Sequence, residues 1–250
     1  MKLNPNKRIG RVLYLVEGDV DEVAILERLF NKILKYTTVS FDKRTKKVKC
    51  LVNPNDKYSK VFIVPMEYSA ITRIETSSVY VDGIYQLLKK YDLNKDESAK
   101  YLLFDRDEKS NPSDVFKHLF GVFRNSFDNN LDINGLLLIS YPCVQSFICE
   151  CFGDESQFSS SQMMKNYSYI FNVDNIDKNK IMTAAELMVK NILNIINKTC
   201  FDMNCLDDME ETNNSILDYE DNYFKKNNTY KTLSLLLISF IDLGIIELDD

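Results

Sequence analysis

Residues 12–16, Val-Leu-Tyr-Leu-Val, are an unbroken apolar run that stops at Glu17-Gly18 and gives way to apolar residues at helical spacing. A continuous run of this length suits a central strand covered on both faces. Val23, Ile25, Leu26, Leu29, Phe30, Ile33 and Leu34 then recur at the helical period, up to about Tyr36. Strand, glycine, helix is the opening of a βα unit, and the pattern returns later. Tyr101–Phe104 reads as a strand, 108–112 as a loop, and Val115, Phe116, Leu119, Phe120 and Phe123 as one face of a helix capped by Ser113 or Asp114. Leu136–Ser140 is a further buried strand, and Tyr141-Pro142 leads into a helix over Val144–Cys151.

Between these units, residues 39–65 look extended. Val39–Phe41, the basic Lys43–Lys49, Cys50–Val52 and Val61–Val64 suggest a hairpin and a further strand, with a turn at Asn53-Pro54-Asn55-Asp56. Val79, Ile84, Leu87, Leu88 and Tyr91 mark a helix capped by Ser77 or Ser78. Alternating elements of this kind predict an α/β fold, a mainly parallel central sheet flanked by helices, over residues 1–155. Residues 156–250 lack that alternation and predict a mostly helical region packed on the first. There Ser156–Ser161 reads as a linker, Met182–Ile196 as a helix, 207–221 as an exposed acidic stretch and Leu233–Leu243 as a buried helix.

Composition narrows the function. Hydrophobic residues are 45% and charged residues 27%, enough for a real core, and seven Gly with five Pro favour helices over a turn-rich all-β chain. The six cysteines form no CxxC pair, which argues against a zinc knuckle or a secreted disulfide framework. A single histidine, His118, excludes a site needing two imidazoles and reads as structural in its helix. The polar residues 1–11 lack the apolar core of a signal peptide, and 233–246 is too short to span a bilayer, so a cytoplasmic protein with no membrane contact is expected. Net charge is −6, yet residues 1–75 carry +6 and residues 153–250 carry −9. An anionic chain is a poor general polyanion binder, but its basic first third can steer one locally.

Two acidic motifs follow the apolar runs: Glu17-Gly18-Asp19-Val20-Asp21-Glu22 and Asp105-Arg106-Asp107. In parallel α/β sheets ligands gather beyond the carboxyl ends of the strands, where both motifs and Tyr141-Pro142 fall. Asp19, Asp21 and Glu22 also suit the acidic first turn of a helix. Glu17 precedes the glycine and fits that role less well. Asp105 and Asp107, one residue apart on an extended segment, point the same way. Hard oxygen donors on one face, beside a third carboxylate, suit Mg²⁺ or Mn²⁺, although an Asp-x-Asp alone also occurs as an ordinary acidic loop.

A strand-end Glu-Gly-x-x-Asp/Glu followed by a later strand ending in Asp-x-Asp resembles the TOPRIM domain of topoisomerases, primases and OLD-type nucleases. The resemblance covers roughly residues 8–150 and looks closest to small TOPRIM effectors of bacterial anti-phage systems, some of which act beside an ABC-type ATPase. Those proteins often carry strand–Tyr/Asn-Pro-x-x-Glu-x-aromatic, and Ser140-Tyr141-Pro142-Cys143-Val144-Gln145-Ser146-Phe147 is similar, with Gln145 where an acid is usual. The resemblance implies Glu17, Asp105 and Asp107 as catalytic residues holding one or two Mg²⁺ or Mn²⁺ ions, with Asp21 as a further ligand or orienter. It implies a nuclease acting on DNA or RNA, controlled by a regulatory protein partner, an ABC-type ATPase, or by homo-oligomerisation.

Arg73, Arg106 and Lys109 are candidates for neutralising phosphate charge, or plain surface residues. Lys43, Arg44, Lys46 and Lys47 belong to a segment with five cations in seven residues, a nucleic-acid contact or a solvated hairpin tip. The acidic 207–221 could dock on a basic surface or shield the site. Two other readings stay open: a non-catalytic TOPRIM sensor or scaffold, with Gln145 as a trace of lost chemistry, and another Mg²⁺-dependent phosphoryl-transfer enzyme built on Asp105 and Asp107.

Overall fold

The computed structural model describes residues 1–18, 20–39, 48–65, 98–106, 112–127 and 135–249. It forms two compact units, one of residues 5–103 with 108–137, the other of residues 1–4, 104–107 and 138–250. The division falls inside two strands, β6 (Ser98–Asp105) and β8 (Gly135–Tyr141). The remaining strands are β1 (Lys2–Leu3), β2 (Arg11–Val16), β3 (Thr37–Val39), β4 (Lys49–Asn53), β5 (Asp56–Pro65), β7 (Arg124–Asn125), β9 (Leu233–Ser234) and β10 (Ile246–Glu247). The main ladder has the order β3-β4-β5-β2-β6-β8-β7, with β9 on β8. The chain is α/β, with a mixed central sheet flanked by helices.

In the first unit, β2 runs parallel to β5 on one side, with Val16 opposite Pro65, and to β6 on the other, with Val16 opposite Leu103. Val12–Val16 are all buried, as two-sided cover demands of a continuous apolar run. The margin is antiparallel: β3 pairs with β4 and β4 with β5. The turn between β4 and β5 is set by Asn53, whose Oδ1 accepts the Asn55 amide at 2.9 Å. The sheet is therefore mixed but mostly parallel at its centre, as expected, with an antiparallel margin where β3, β4 and β5 pair.

Helix α1 (Asp21–Arg28) packs on β4 and β5 with Val23 and Leu26 inward, and passes into a π-helical turn over Leu29–Ile33. Its acidic first turn, Asp21 and Glu22, carries no side-chain cap. Phe30 sits 6.0 Å from Tyr14 and 5.4 Å from Tyr36, ring to ring, and Tyr14 stacks on Tyr101 at 5.2 Å. These aromatics tie the helix to the two central strands. Helix α2 (Ser113–Val122) starts after Pro112, not after a Ser or Asp cap, and buries Val115, Phe116, Leu119 and Phe120. His118 lies on its exposed face. The helix expected near residues 77–91 lies outside the described residues.

The second unit is mostly helical: α3 (Ser146–Cys151), α4 (Ser161–Ser168), α5 (Lys178–Ile196), α6 (Met203–Asp207), α7 (Met209–Asn227) and α8 (Ile238–Asp242). Ser160, Asp177 and Asp202 cap α4, α5 and α6 by accepting the Met163, Lys180 and Cys205 amides. Asn197 and Asn228 end the two long helices in the left-handed region that asparagine tolerates. Helix α5 packs against α3 and α7.

The acidic stretch 207–221 is a folded helix with Ile216, Leu217 and Glu220 buried, not an exposed run. Leu233–Leu243 is buried as expected but divides into β9, a 3₁₀ turn at Leu235–Leu237 and α8. A run of four apolar residues, Leu235–Ile238, does not by itself choose between helix and strand. Among the described residues no helix is long and apolar enough to cross a membrane. All six cysteines are free.

Candidate functional site

The first acidic motif belongs to the first unit. Glu17 follows β2, and its amide donates to the Leu103 carbonyl at 3.2 Å, extending the parallel ladder one step past Val16. Its side chain is half-buried. Gly18 is there for a steric reason: a Cβ at this position would lie 2.5 Å from Glu22 Oε2. The Glu22 carboxylate therefore folds back over the Gly18 backbone, and the residue is only 6% exposed. Asp21, half-buried, opens α1 beside it. Glu22 read from sequence as a helix-start acid. The structure also packs it on Gly18, a contact that the sequence pattern did not mark. Asp19 lies outside the described residues.

The second motif enters the second unit at the end of β6. Asp105, half-buried, accepts the Val144 amide on Oδ1 at 2.8 Å. The Arg106 amide donates to the Ser140 carbonyl at 2.9 Å. The Arg106 side chain is 1% exposed, and its Nε and Nη2 both donate to Asp221 Oδ1, at 3.2 and 2.7 Å. This corrects the expectation of a surface cation. Neighbouring side chains on an extended segment alternate between faces, so the residue after Asp105 points into the unit and needs a counter-ion there.

Around that pair lies a buried polar group. Tyr141 is fully buried, and burial, reinforced by the Glu220 carboxylate, pushes its phenol well above the usual range, while Arg106 acts in the opposite direction. Glu220 is inaccessible to solvent and accepts the Lys231 amide on Oε2 at 3.1 Å. Burial pushes its pKa up to about 7, against the pull of the Lys231 amide and ammonium. Gln145 is also buried and forms the N-cap of α3, its carbonyl accepting the Ile148 and Cys149 amides at 3.0 and 3.2 Å. Sequence reasoning missed Asp221 and Glu220 as partners of this segment, since nothing local marks them.

Asp107, Lys109, Arg73, Lys43, Arg44, Lys46 and Lys47 lie outside the described residues. Among the described residues, no group of three or more His, Cys, Asp or Glu is arranged to hold a metal ion. Asp107, one of the ligands the resemblance implies, is not among those residues. Comparison of the chain with protein-family models, curated proteins and solved structures returned no match.

Proposed function

We propose that this chain is a metal-dependent nuclease of the TOPRIM kind, hydrolysing phosphodiester bonds in DNA or RNA. One observation supports the reading above the others. β2 and β6 pair in parallel, with the Glu17 amide on the Leu103 carbonyl, so both acidic motifs follow the carboxyl ends of neighbouring strands. In α/β sheets that is where ligands collect. Glu17, Asp105 and Asp107 are the proposed Mg²⁺ or Mn²⁺ ligands, with Asp21 as a further ligand or orienter. Such a cation, when bound, polarises the phosphodiester and lowers the pKa of a water molecule. The chain's own part is to present carboxylates, with Asp105 oriented by the Val144 amide. A cytoplasmic role in anti-phage defence, under a partner ATPase or self-association, follows from the resemblance alone.

The test is incubation of the protein and of a Glu17→Ala variant with plasmid DNA and a tRNA pool plus Mn²⁺. Cleavage by the parent and loss of at least about a hundredfold in the variant are expected. Cleavage that persists in Glu17→Ala rejects the assignment. A second reading, a non-catalytic sensor of the same fold, is favoured by Gln145, which stands buried at a helix start where the related pattern has an acid. Calorimetric titration with Mn²⁺ separates the two: carboxylate-dependent binding supports the nuclease, and none supports the sensor.

A further inference from the structure

We propose that Asp221 is a positioning residue for Asp105 and Arg106 at the end of β6, holding them from α7 through the Arg106 guanidinium. The consequence for catalysis rests on the nuclease reading; the mechanical claim does not. A guanidinium stays charged at any ordinary pH, so an arginine that is 1% exposed must be paired. Here both Nε and Nη2 converge on one oxygen of Asp221, 115 residues further along the chain. The pair decides orientation as well as stability. Alternation along the segment means that drawing Arg106 inward turns Asp105 to the other side. The Val144 amide then meets Asp105 Oδ1 at 2.8 Å.

The helix that supplies Asp221 is itself anchored. Glu220, the preceding residue, takes the Lys231 amide, and Lys231 Nζ lies 5.0 and 5.1 Å from the Tyr219 and Tyr223 ring centroids. The Tyr219 hydroxyl accepts from the same ammonium at 2.5 Å. Asp221 therefore sits on a braced part of α7.

Amide hydrogen exchange tests this on the full chain, with β2 amides as the core control. In Asp221→Asn, which keeps the shape and removes the charge, exchange at the Arg106 amide should rise about tenfold, as expected for weakening a charged hydrogen bond. The β2 amides should stay within about twofold, and Asp221→Glu should recover part of the loss. In turnover the Asn variant should lose kcat with KM unchanged. Exchange at Arg106 that rises no more than in β2 overturns the proposal. If Asp221→Asn fails to fold, the double variant Arg106→Met/Asp221→Leu, which removes both members of the pair, carries the same measurement with the same two outcomes. Exchange needs neither substrate nor metal. A parent protein that cuts no nucleic acid would thus remove the nuclease reading and leave this result to stand or fall separately.

Discussion

Glu17 and Asp105 each close an apolar strand, yet the residues beside them are held by contacts of different reach. Around Glu17 the fixing contact is local: Glu22 folds over Gly18, four positions away. Around Asp105 it is remote: Val144 lies 39 positions on, and the Arg106 partner 115 positions on. The first motif depends on a backbone turn and a helix start, which the neighbouring residues dictate. The second depends on a buried ion pair, which only the completed second unit supplies. A motif of the first kind is damaged chiefly by substitutions within it. A motif of the second kind is exposed to changes in a distant helix.

The largest expected effect follows from that exposure. Asp221→Ala removes the carboxylate that both Nε and Nη2 of the buried Arg106 meet, and should lower unfolding free energy by about 3–5 kcal/mol in urea titrations. Arg106→Met/Asp221→Leu, which removes both charges, should return to within about 1 kcal/mol of the parent or exceed it. An Ala variant within about 0.5 kcal/mol of the parent would place the pair with ordinary surface substitutions and collapse the contrast.

A second difference is pH dependence. Glu220, beside Asp221 and facing Lys231, Tyr141 and the Arg106 pair, holds its proton up to about pH 7 because it is buried. An unfolded glutamate releases its proton near pH 4.5, so between these values the folded state binds more protons than the unfolded one. Stability from this group therefore falls as pH rises from about 4.5 to 7, by at most about 3 kcal/mol, and is flat above. Glu150, which burial also pushes up against the Ser234 amide, adds a slope of the same sign. Glu220→Gln should shrink the stability difference between pH 5 and pH 7.5 without abolishing it. An unchanged difference would show that Glu220 titrates as it does in the unfolded chain.

How far the sequence revealed these regions follows the same division. Val12–Val16, α1 and the turn at Asn53–Asp56 are set by runs and spacings of a few residues, so they could be read directly. So could Tyr101–Phe104 and Leu136–Ser140, whose continuous apolar character reflects cover on both faces. The hairpins that make the sheet mixed could be read, but not their place on the parallel centre, because pairing direction leaves no local mark. Arg106 looked like a surface cation because its counter-ion belongs to α7. Asp221 looked like part of a solvated acidic run because Arg106, with which it pairs, lies buried far upstream. At 233–243, apolar residues at most positions, broken only by Ser234, Ser239 and Asp242, hid the change from strand to 3₁₀ turn to helix.

The smallest predicted effect sharpens the local half of the contrast. In Gly18→Ala the new methyl group would stand 2.5 Å from Glu22 Oε2, so one of them must move. Glu22 has the flexible end, and the backbone at Gly18 does not need a positive φ, so the cost should be modest, about 1 kcal/mol. Most of that cost comes from displacing a buried carboxylate. Glu22→Ala removes the obstacle, so Gly18→Ala in that background should cost less, and a double-mutant cycle should show coupling of at least about 0.5 kcal/mol. Additive effects would mean that Gly18 is required by the backbone and not by Glu22. The first motif would then be held by its turn alone, with Glu22 reduced to an acid at the start of α1.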